Sequence, residues 1–266
     1  MWPASKVFPK ELFPLGRLPA LGHVISELVD AGIEEIVIVV RKDGRETIEA
    51  FLDHRIAAPD SVQGDGIVRR FEQMIRTATF TIVEQDGPYG NGTPLLNGVR
   101  LVGPHPCIYA FADDVVFGEN ASIGLIDTFQ RTGRPVVAAQ PVPEKDTPKF
   151  GILECTQTDA VQYVTRFVEK PRIGETTSTL ASLGRYLITH DVVEILQDTP
   201  PGRGNELWLA DAYVRMIERH LPLAAFQLTT GKWFTVGNPD GFRDAVLAAM
   251  EAEADRTMGV RGLPTL

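Results

Sequence analysis

The chain has 266 residues, a net charge of −9, 44% hydrophobic and 23% charged residues, and a mean hydropathy of −0.03. This is the composition of a folded domain long enough to bury a core, which excludes a disordered chain, and its acidic balance excludes generic affinity for nucleic acid or an anionic membrane. No apolar run approaches bilayer length, no signal peptide is expected, and Cys107 and Cys155 are too few for a disulfide framework, so a cytoplasmic protein with reduced thiols is the expectation.

Residues 18–31 carry Leu, Val and Ile at helical spacing and stop at Gly32. The β-branched run "EIVIVV" at 35–40 predicts a buried strand, and "GRETIEAFL" a helix. The alternation continues with "FTIVEQ" as a strand, "TPLLNGVRLVG" as a helix, "PCIYAFADD" as a strand ending on two acids, and "ASIGLIDTFQRTG" as a helix closed by Gly133. Strand and helix in alternation predict a parallel sheet covered on both faces. From about 135 the texture changes. "PVVAAQPVP", "FGILECT", "VQYVTRFVEKP" and "STLASLGRYLIT" predict strands that add mixed or antiparallel pairing. "DVVEILQDT" and "NELWLADAYVRMIERH" predict helices, "AAFQLTTGKWFTVGN" a pair of strands, and "PDGFRDAVLAAMEAEADR" a closing helix before a frayed tail, "GVRGLPTL".

Ligands of parallel α/β sheets gather beyond the carboxyl ends of the strands, and four segments there carry chemistry. "QDGPYGNGTPLL" places Gly87, Gly90 and Gly92 ahead of a helix, where backbone can approach a flat ring or a phosphate; the same residues also make plain turns. Asp113 and Asp114 suit a hard divalent cation bridging phosphates, or else a capping turn. In "RFVEKP", Glu169 and Lys170 could serve a sugar hydroxyl and a phosphate, although strand neighbours point to opposite sides unless the strand bends at Pro171; a solvated surface pair is the alternative. Lys6, Lys10 and Glu11 occupy a Pro-punctuated loop, where a lysine can act as a compact charge near phosphate or merely aid solubility. Trp208 and Tyr213 are expected in the core or an interface. The five histidines lack metal-ligand spacing, and no GxSxG, CxxC or GxxxxGK[ST] pattern is present.

The segments "PKELFPL", "AGIEEIVIVV", "EQDGPYGNG", "FADDVV", "FGI", "FVEKP", "SLGRYLIT", "GNELWLADA" and "VGNPDGF", in this order, resemble bacterial UTP–glucose-1-phosphate uridylyltransferases and related sugar-1-phosphate nucleotidyltransferases over nearly the whole chain. The resemblance implies a three-layer α/β/α sandwich with a Rossmann-like first half and a mixed sheet. It implies one domain over 1–266, with a nucleotide-binding half at 1–134, a sugar-binding half at 135–238 and a C-terminal helix and tail at 239–266. By the same resemblance Lys10 contacts phosphates, Glu11, Gln85 and Gly90 contact a uracil-type base, and Asp113 binds Mg2+. Gly151 and Glu169 contact the sugar, and Lys170 holds its phosphate. The implied substrates are a nucleoside triphosphate and a sugar 1-phosphate, and the implied assembly is a homo-oligomer without nucleic-acid or membrane partners.

The family pattern departs at several places. Its opening strand and GxGTRxxP loop are represented only by Trp2 and Pro3, so the missing part is expected upstream of Met1 or else lost, leaving a catalytically impaired nucleotide-sugar binder or partner subunit. Thr235 stands where an acid is usual, Glu84 where Arg is, Asn91, Thr93 and Pro94 where Leu, His and Ala are, and Trp208 and Ala210 where Gln and Thr are. A nucleotide-sugar glycosyltransferase shares the layout and is the remaining alternative.

Overall fold

The structure, a computed structural model, describes residues 1–56 and 59–260. A tight turn at Lys10–Leu12 leads into a small hairpin of β1 (Pro14–Leu15) and β2 (Leu18–Pro19). Pro19, in extended backbone, starts α1 (Ala20–Asp30), whose Leu21, Val24, Ile25 and Leu28 recur every three or four residues and are buried as one stripe. After β3 (Glu35–Val40) come α2 (Arg45–Leu52), α3 (Gly66–Thr77) and β4 (Thr79–Glu84), and β4 lies parallel to β3. Helix α3 is absent from the sequence reading. Its signal is nonetheless there: Asp65 caps it by accepting from the Ile67 and Val68 amides, and Phe71, Met74 and Ile75 share its buried face.

The chain continues through α4 (Gly92–Val102), β5 (Cys107–Ala110), β6 (Asp114–Phe117), α5 (Ala121–Thr132), β7 (Val136–Pro141), β8 (Gly151–Thr158), β9 (Val161–Glu169) and β10 (Leu180–Ile188). It closes with α6 (His190–Gln197), α7 (Leu209–Glu218), β11 (Ala224–Gln227), β12 (Lys232–Thr235) and α8 (Pro239–Val260). The sequence-predicted tail is helical to Val260 and otherwise lies outside the described residues. No described helix is long and apolar enough to cross a membrane.

Six strands form the central mixed sheet in the order β5-β10-β7-β11-β9-β8; β11 runs parallel to β7, while β10 is antiparallel to both its neighbours. Strand periodicity makes the layers. Val136 and Ala138 of β7 join Leu125 of α5 on one face, whereas Val137 and Ala139 join Ile195 of α6 and Met216 of α7 on the other. The expected three-layer α/β/α sandwich is therefore built by alternate side chains of the same strands. A third cluster holds α1, α2 and α3 with β3, β6 and α8.

Three expectations change in detail. "PCIYAFADD" is not one strand: β5 stops at Ala110, the chain turns, and Asp114 opens β6, which pairs with β12. "AAFQLTTGKWFTVGN" supplies two strands that part company, β11 entering the central sheet and β12 joining β6. The helix predicted from Asn205 begins at Leu209, because the preceding segment is extended and hydrogen-bonded elsewhere.

A buried guanidinium ties these pieces together. Arg185 of β10 is fully buried; its Nη2 reaches Glu27 Oε2 at 3.1 Å and the Asp114 carbonyl at 2.7 Å, and its Nη1 donates to the Phe111 carbonyl at 3.0 Å. Glu27 also accepts from the Ser122 hydroxyl at 2.6 Å, so α1, α5, β10 and the turn after β5 meet at one ion pair. Arg185→Met leaves Glu27 charged, buried and short of its main partner, and is expected to lower the unfolding free energy by about 3–5 kcal/mol. Urea unfolding of this variant and of Arg185→Met/Glu27→Leu checks the reading: the double variant is expected to be more stable than the single one.

Candidate active site

The turn between β5 and β6 carries Asp113, fixed by the Val236 amide, which donates to the Asp113 carbonyl at 2.8 Å. The Lys10 ammonium, 103 residues away in sequence, donates to the Asp113 carboxylate. Burial of Lys10 acts to lower its pKa, but the charge and hydrogen bond of Asp113, with Glu11 and Asp114 behind it, outweigh that and hold it above the ordinary lysine value. What the sequence suggests is a loop lysine is thus anchored in a short helical turn whose Leu12 is buried. Asp114 points the other way, into the fold. Burial, then the charge of Asp113, against the pull of Arg185, pushes its carboxyl up to about 7, and its Oδ1 has no hydrogen-bond partner among the described residues. Gly184 lies beside it at φ +66°, in the irregularity of β10, where a Cβ would collide with Asp114 Oδ2.

A second charged pair ends β9. Lys170 adopts φ +50° and its amide donates to the Phe150 carbonyl at 2.9 Å. This left-handed residue breaks the strand alternation, so Glu169 and Lys170 do not diverge as strand neighbours would: Glu169 Oε1 lies 3.7 Å from Lys170 Nζ. Gly151 of β8 faces Glu169 in register; a Cβ there would meet the Phe167 ring at 2.6 Å and Glu169 Oε2 at 2.9 Å. A side chain there would press on both the ring and the carboxylate. Burial, against Lys170 and with a contribution from Asp211, raises the Glu169 pKa.

The glycine loop follows β4. The Gln85 amide donates to the Val40 carbonyl at 2.8 Å, while its side chain makes no hydrogen bond or ion pair among the described residues. Asn97 of α4 grips both backbone groups of Asp86, at 2.9 and 3.0 Å. Gly90, at φ +115°, lies against the backbone of Leu207, whose amide donates to the Tyr89 carbonyl at 2.7 Å and whose carbonyl accepts from the Gly92 amide at 2.8 Å. Asn91 Oδ1 accepts from the Leu209 amide at 2.8 Å, and the Asn91 carbonyl accepts from the Tyr109 hydroxyl at 2.7 Å. Asn91, noted in the sequence only as a departure from the family pattern, is a structural residue, and so is Asn97, which the sequence reading missed; a buried Asn on an otherwise apolar helix face was the available signal.

Lys10 with Asp113, and Gly151 with Glu169 and Lys170, are therefore brought together, and Gly90 is locked to the segment before α7. Among the described residues Glu11 acts on this group through its charge near Lys10. Two buried tyrosines lie between the pairs: Tyr186 feels the Glu169 charge, and Tyr109, stacked on it with ring centroids 6.2 Å apart, feels the Asp113 charge. A cavity of about 1130 Å³ opens elsewhere, beside Arg17, Glu27, Asp65 and Glu253, and none of the candidate residues lines it.

Among the described residues no three His, Cys, Asp or Glu side chains gather into a metal cage. A cation bound mainly by substrate phosphates needs no cage, only one or two carboxylates. Asp113, one-fifth exposed, fits that lesser demand once the Lys10 ammonium turns from it to the phosphates. Thr235, at the position where an acid was expected, pairs with Asp114 across β12 and β6, and its hydroxyl accepts from the Gly237 amide at 3.4 Å.

A family model described as nucleotidyl transferase matches residues 1–252. The chain belongs to the nucleotidyl transferase family. Among its relatives is a UTP–glucose-1-phosphate uridylyltransferase of Staphylococcus epidermidis, 31% identical over 90% of this chain and 84% of the relative. Another is the enzyme of that name from Pseudomonas aeruginosa, 30% identical over 91% and 88% of the two chains. A solved UDP-glucose pyrophosphorylase complexed with UDP-glucose superposes with a TM-score of 0.85 at 27% identity, over 94% of each chain. A UTP-bound enzyme from Acinetobacter baumannii, at 24% identity and a TM-score of 0.78 over 99% and 94% of the chains, shares the fold.

Gly90→Ala forces a Cβ onto the Leu207 backbone at a φ that L-residues avoid. The variant is expected to lose about 1–3 kcal/mol in stability, seen as a lower thermal midpoint, and to bind nucleoside triphosphate at least about tenfold more weakly in a calorimetric titration.

Proposed function

We propose that the protein transfers a uridylyl group from UTP to glucose 1-phosphate and releases pyrophosphate, with Mg2+ as the divalent cation. The names of the relatives support the substrates, and the observation that carries the reading is the presence of two lysine–carboxylate couples, Lys10 with Asp113 and Lys170 with Glu169, with the stacked Tyr109 and Tyr186 between them.

In the proposed reaction a phosphate oxygen of glucose 1-phosphate forms a bond to the α-phosphorus of UTP as the bond from that phosphorus to the bridging oxygen breaks, and pyrophosphate leaves with that electron pair. No protein nucleophile is needed; alignment and charge neutralisation supply the rate. Lys170 holds the sugar phosphate while Glu169 accepts hydrogen bonds from sugar hydroxyls. Lys10 supplies a positive charge on the triphosphate side, and its raised pKa keeps it protonated through the neutral range. A divalent cation held by Asp113 would spread the charge on the phosphate oxygens. Gln85 and Gly90 face the base in this reading, Glu11 assists them, and Gly151 gives the sugar room. Cys107 and Cys155 are unpaired thiols, with burial pushing both up to about 11, which suits a cytoplasmic protein.

The assay mixes the protein with UTP, glucose 1-phosphate and Mg2+ and measures pyrophosphate. Chelation is expected to abolish release and added Mg2+ to restore it. Lys10→Met and Asp113→Asn are each expected to lower kcat by about 10²–10³. Absence of pyrophosphate with UTP would refute the proposal, and glucose transfer from UDP-glucose to an acceptor without pyrophosphate would point to a glycosyltransferase instead.

A further inference from the structure

Trp208 belongs to none of the three core clusters, although its neighbours Leu207 and Leu209 are buried in one of them. In the extended segment before α7 the two leucines point inward and the half-buried indole therefore points away from the core. The Lys170 ammonium lies over its ring, 4.7 Å from the centroid. That is within the range in which an ammonium is drawn to the negative face of an aromatic ring. The Glu169 carboxylate, at 3.7 Å, is beyond a hydrogen bond, and the Lys170 side chain is two-fifths exposed. The lysine is thus oriented by the indole and its neighbouring carboxylate, with one side left to solvent.

The indole is itself held from both sides. The Leu207 amide donates to Tyr89, the Leu207 carbonyl accepts from Gly92, and the Leu209 amide donates to Asn91 Oδ1. Trp208 therefore rides on backbone stapled to the glycine loop, while Lys170 is set by its own left-handed backbone and its bond to Phe150. A structural tryptophan would bury its ring. One face of this ring carries the Lys170 ammonium.

We propose that Trp208 is a positioning residue: its indole holds the Lys170 ammonium beside the sugar-phosphate site and releases it when a phosphate dianion binds there. The inference rests on the reading of Lys170 as the sugar-phosphate ligand. A lysine on a flexible stem otherwise spreads over many rotamers, so holding it near the site reduces what binding must order. The exchange is reversible, and the indole loses its cation whenever the anion gains it.

Two measurements test this on the full chain. In steady state, Trp208→Leu is expected to raise KM for glucose 1-phosphate about tenfold while kcat and KM for UTP change by less than about twofold, and Trp208→Phe, which keeps a ring face, to recover most of the loss. In a binding titration without turnover, tryptophan emission is expected to change as glucose 1-phosphate or inorganic phosphate is added. That change should vanish in Lys170→Met and in Trp208→Phe, which retain the background of Trp2 and Trp233. An emission change that persists in Lys170→Met, or is absent with both anions in the wild type, overturns the proposal, as does a Trp208→Leu variant that keeps the wild-type KM or is not improved upon by Trp208→Phe. The titration needs no turnover, so a wild-type protein that binds phosphate with the expected signal yet releases no pyrophosphate would refute the proposed reaction and leave the role of Trp208 standing.

Discussion

A fully buried guanidinium sets the geometry of the rest. Arg185 cannot leave its charge unpaired in the interior, so Glu27 of α1 must lie against β10, and the carbonyls of Phe111 and Asp114 must turn inward to accept its remaining protons. That requirement shapes the turn after β5. With both carbonyls drawn to Arg185, Asp113 is carried out toward Lys10 while Asp114 is drawn under the strand. Adjacent carboxylates thereby end in opposite environments. One is available to a cation, and the other is pushed by burial toward its neutral form.

Phosphoryl-group chemistry asks a protein for charge held in place more than for reactive atoms. The fold answers with lysines whose stems are constrained by different means. Lys10 is drawn down by a carboxylate from a distant turn, and Lys170 by a backbone bend and a ring. Between them the aromatic group of Tyr109, Phe111 and Tyr186 fills the sheet, with Tyr109 and Tyr186 stacked at 6.2 Å. Its low polarity limits screening between the pairs and keeps water out from beneath them.

Hydrophobic period made the layers legible in the sequence. The runs at β7 and β10 mark strands buried from both sides, as found, whereas β3, equally apolar in sequence and predicted buried, buries only Ile36 and Val40 and leaves Val37, Ile38 and Val39 partly exposed. Helix α3 escaped because its polar residues mask a narrow apolar stripe, and only the Asp65 cap and the Phe71, Met74, Ile75 spacing betray it. Strand ends were less legible: nothing local reveals that Ala110 ends β5, since the turn is imposed by Arg185, 75 residues further on by number. At the site, the resemblance picked out residues one at a time, and Lys10 with Asp113 or Gly151 with Glu169 meet only through tertiary pairing. The nearness of Glu169 to Lys170 contradicts simple strand alternation because a non-glycine residue takes a left-handed backbone there, a choice fixed by the Phe150 carbonyl and invisible to propensity.

The staple between the glycine loop and the segment before α7 has a consequence for how such a protein can diversify. Asn91 and Leu209 share a hydrogen bond, and Gly90 leaves no room between its backbone and that of Leu207. A replacement that reshapes one segment must shift the other, so changes on the two sides combine non-additively. If the two segments serve different substrates, as proposed, an altered preference for one would arrive with an altered tolerance for the other, and lineages would move between substrate pairs by coordinated sets of substitutions, not by single independent steps.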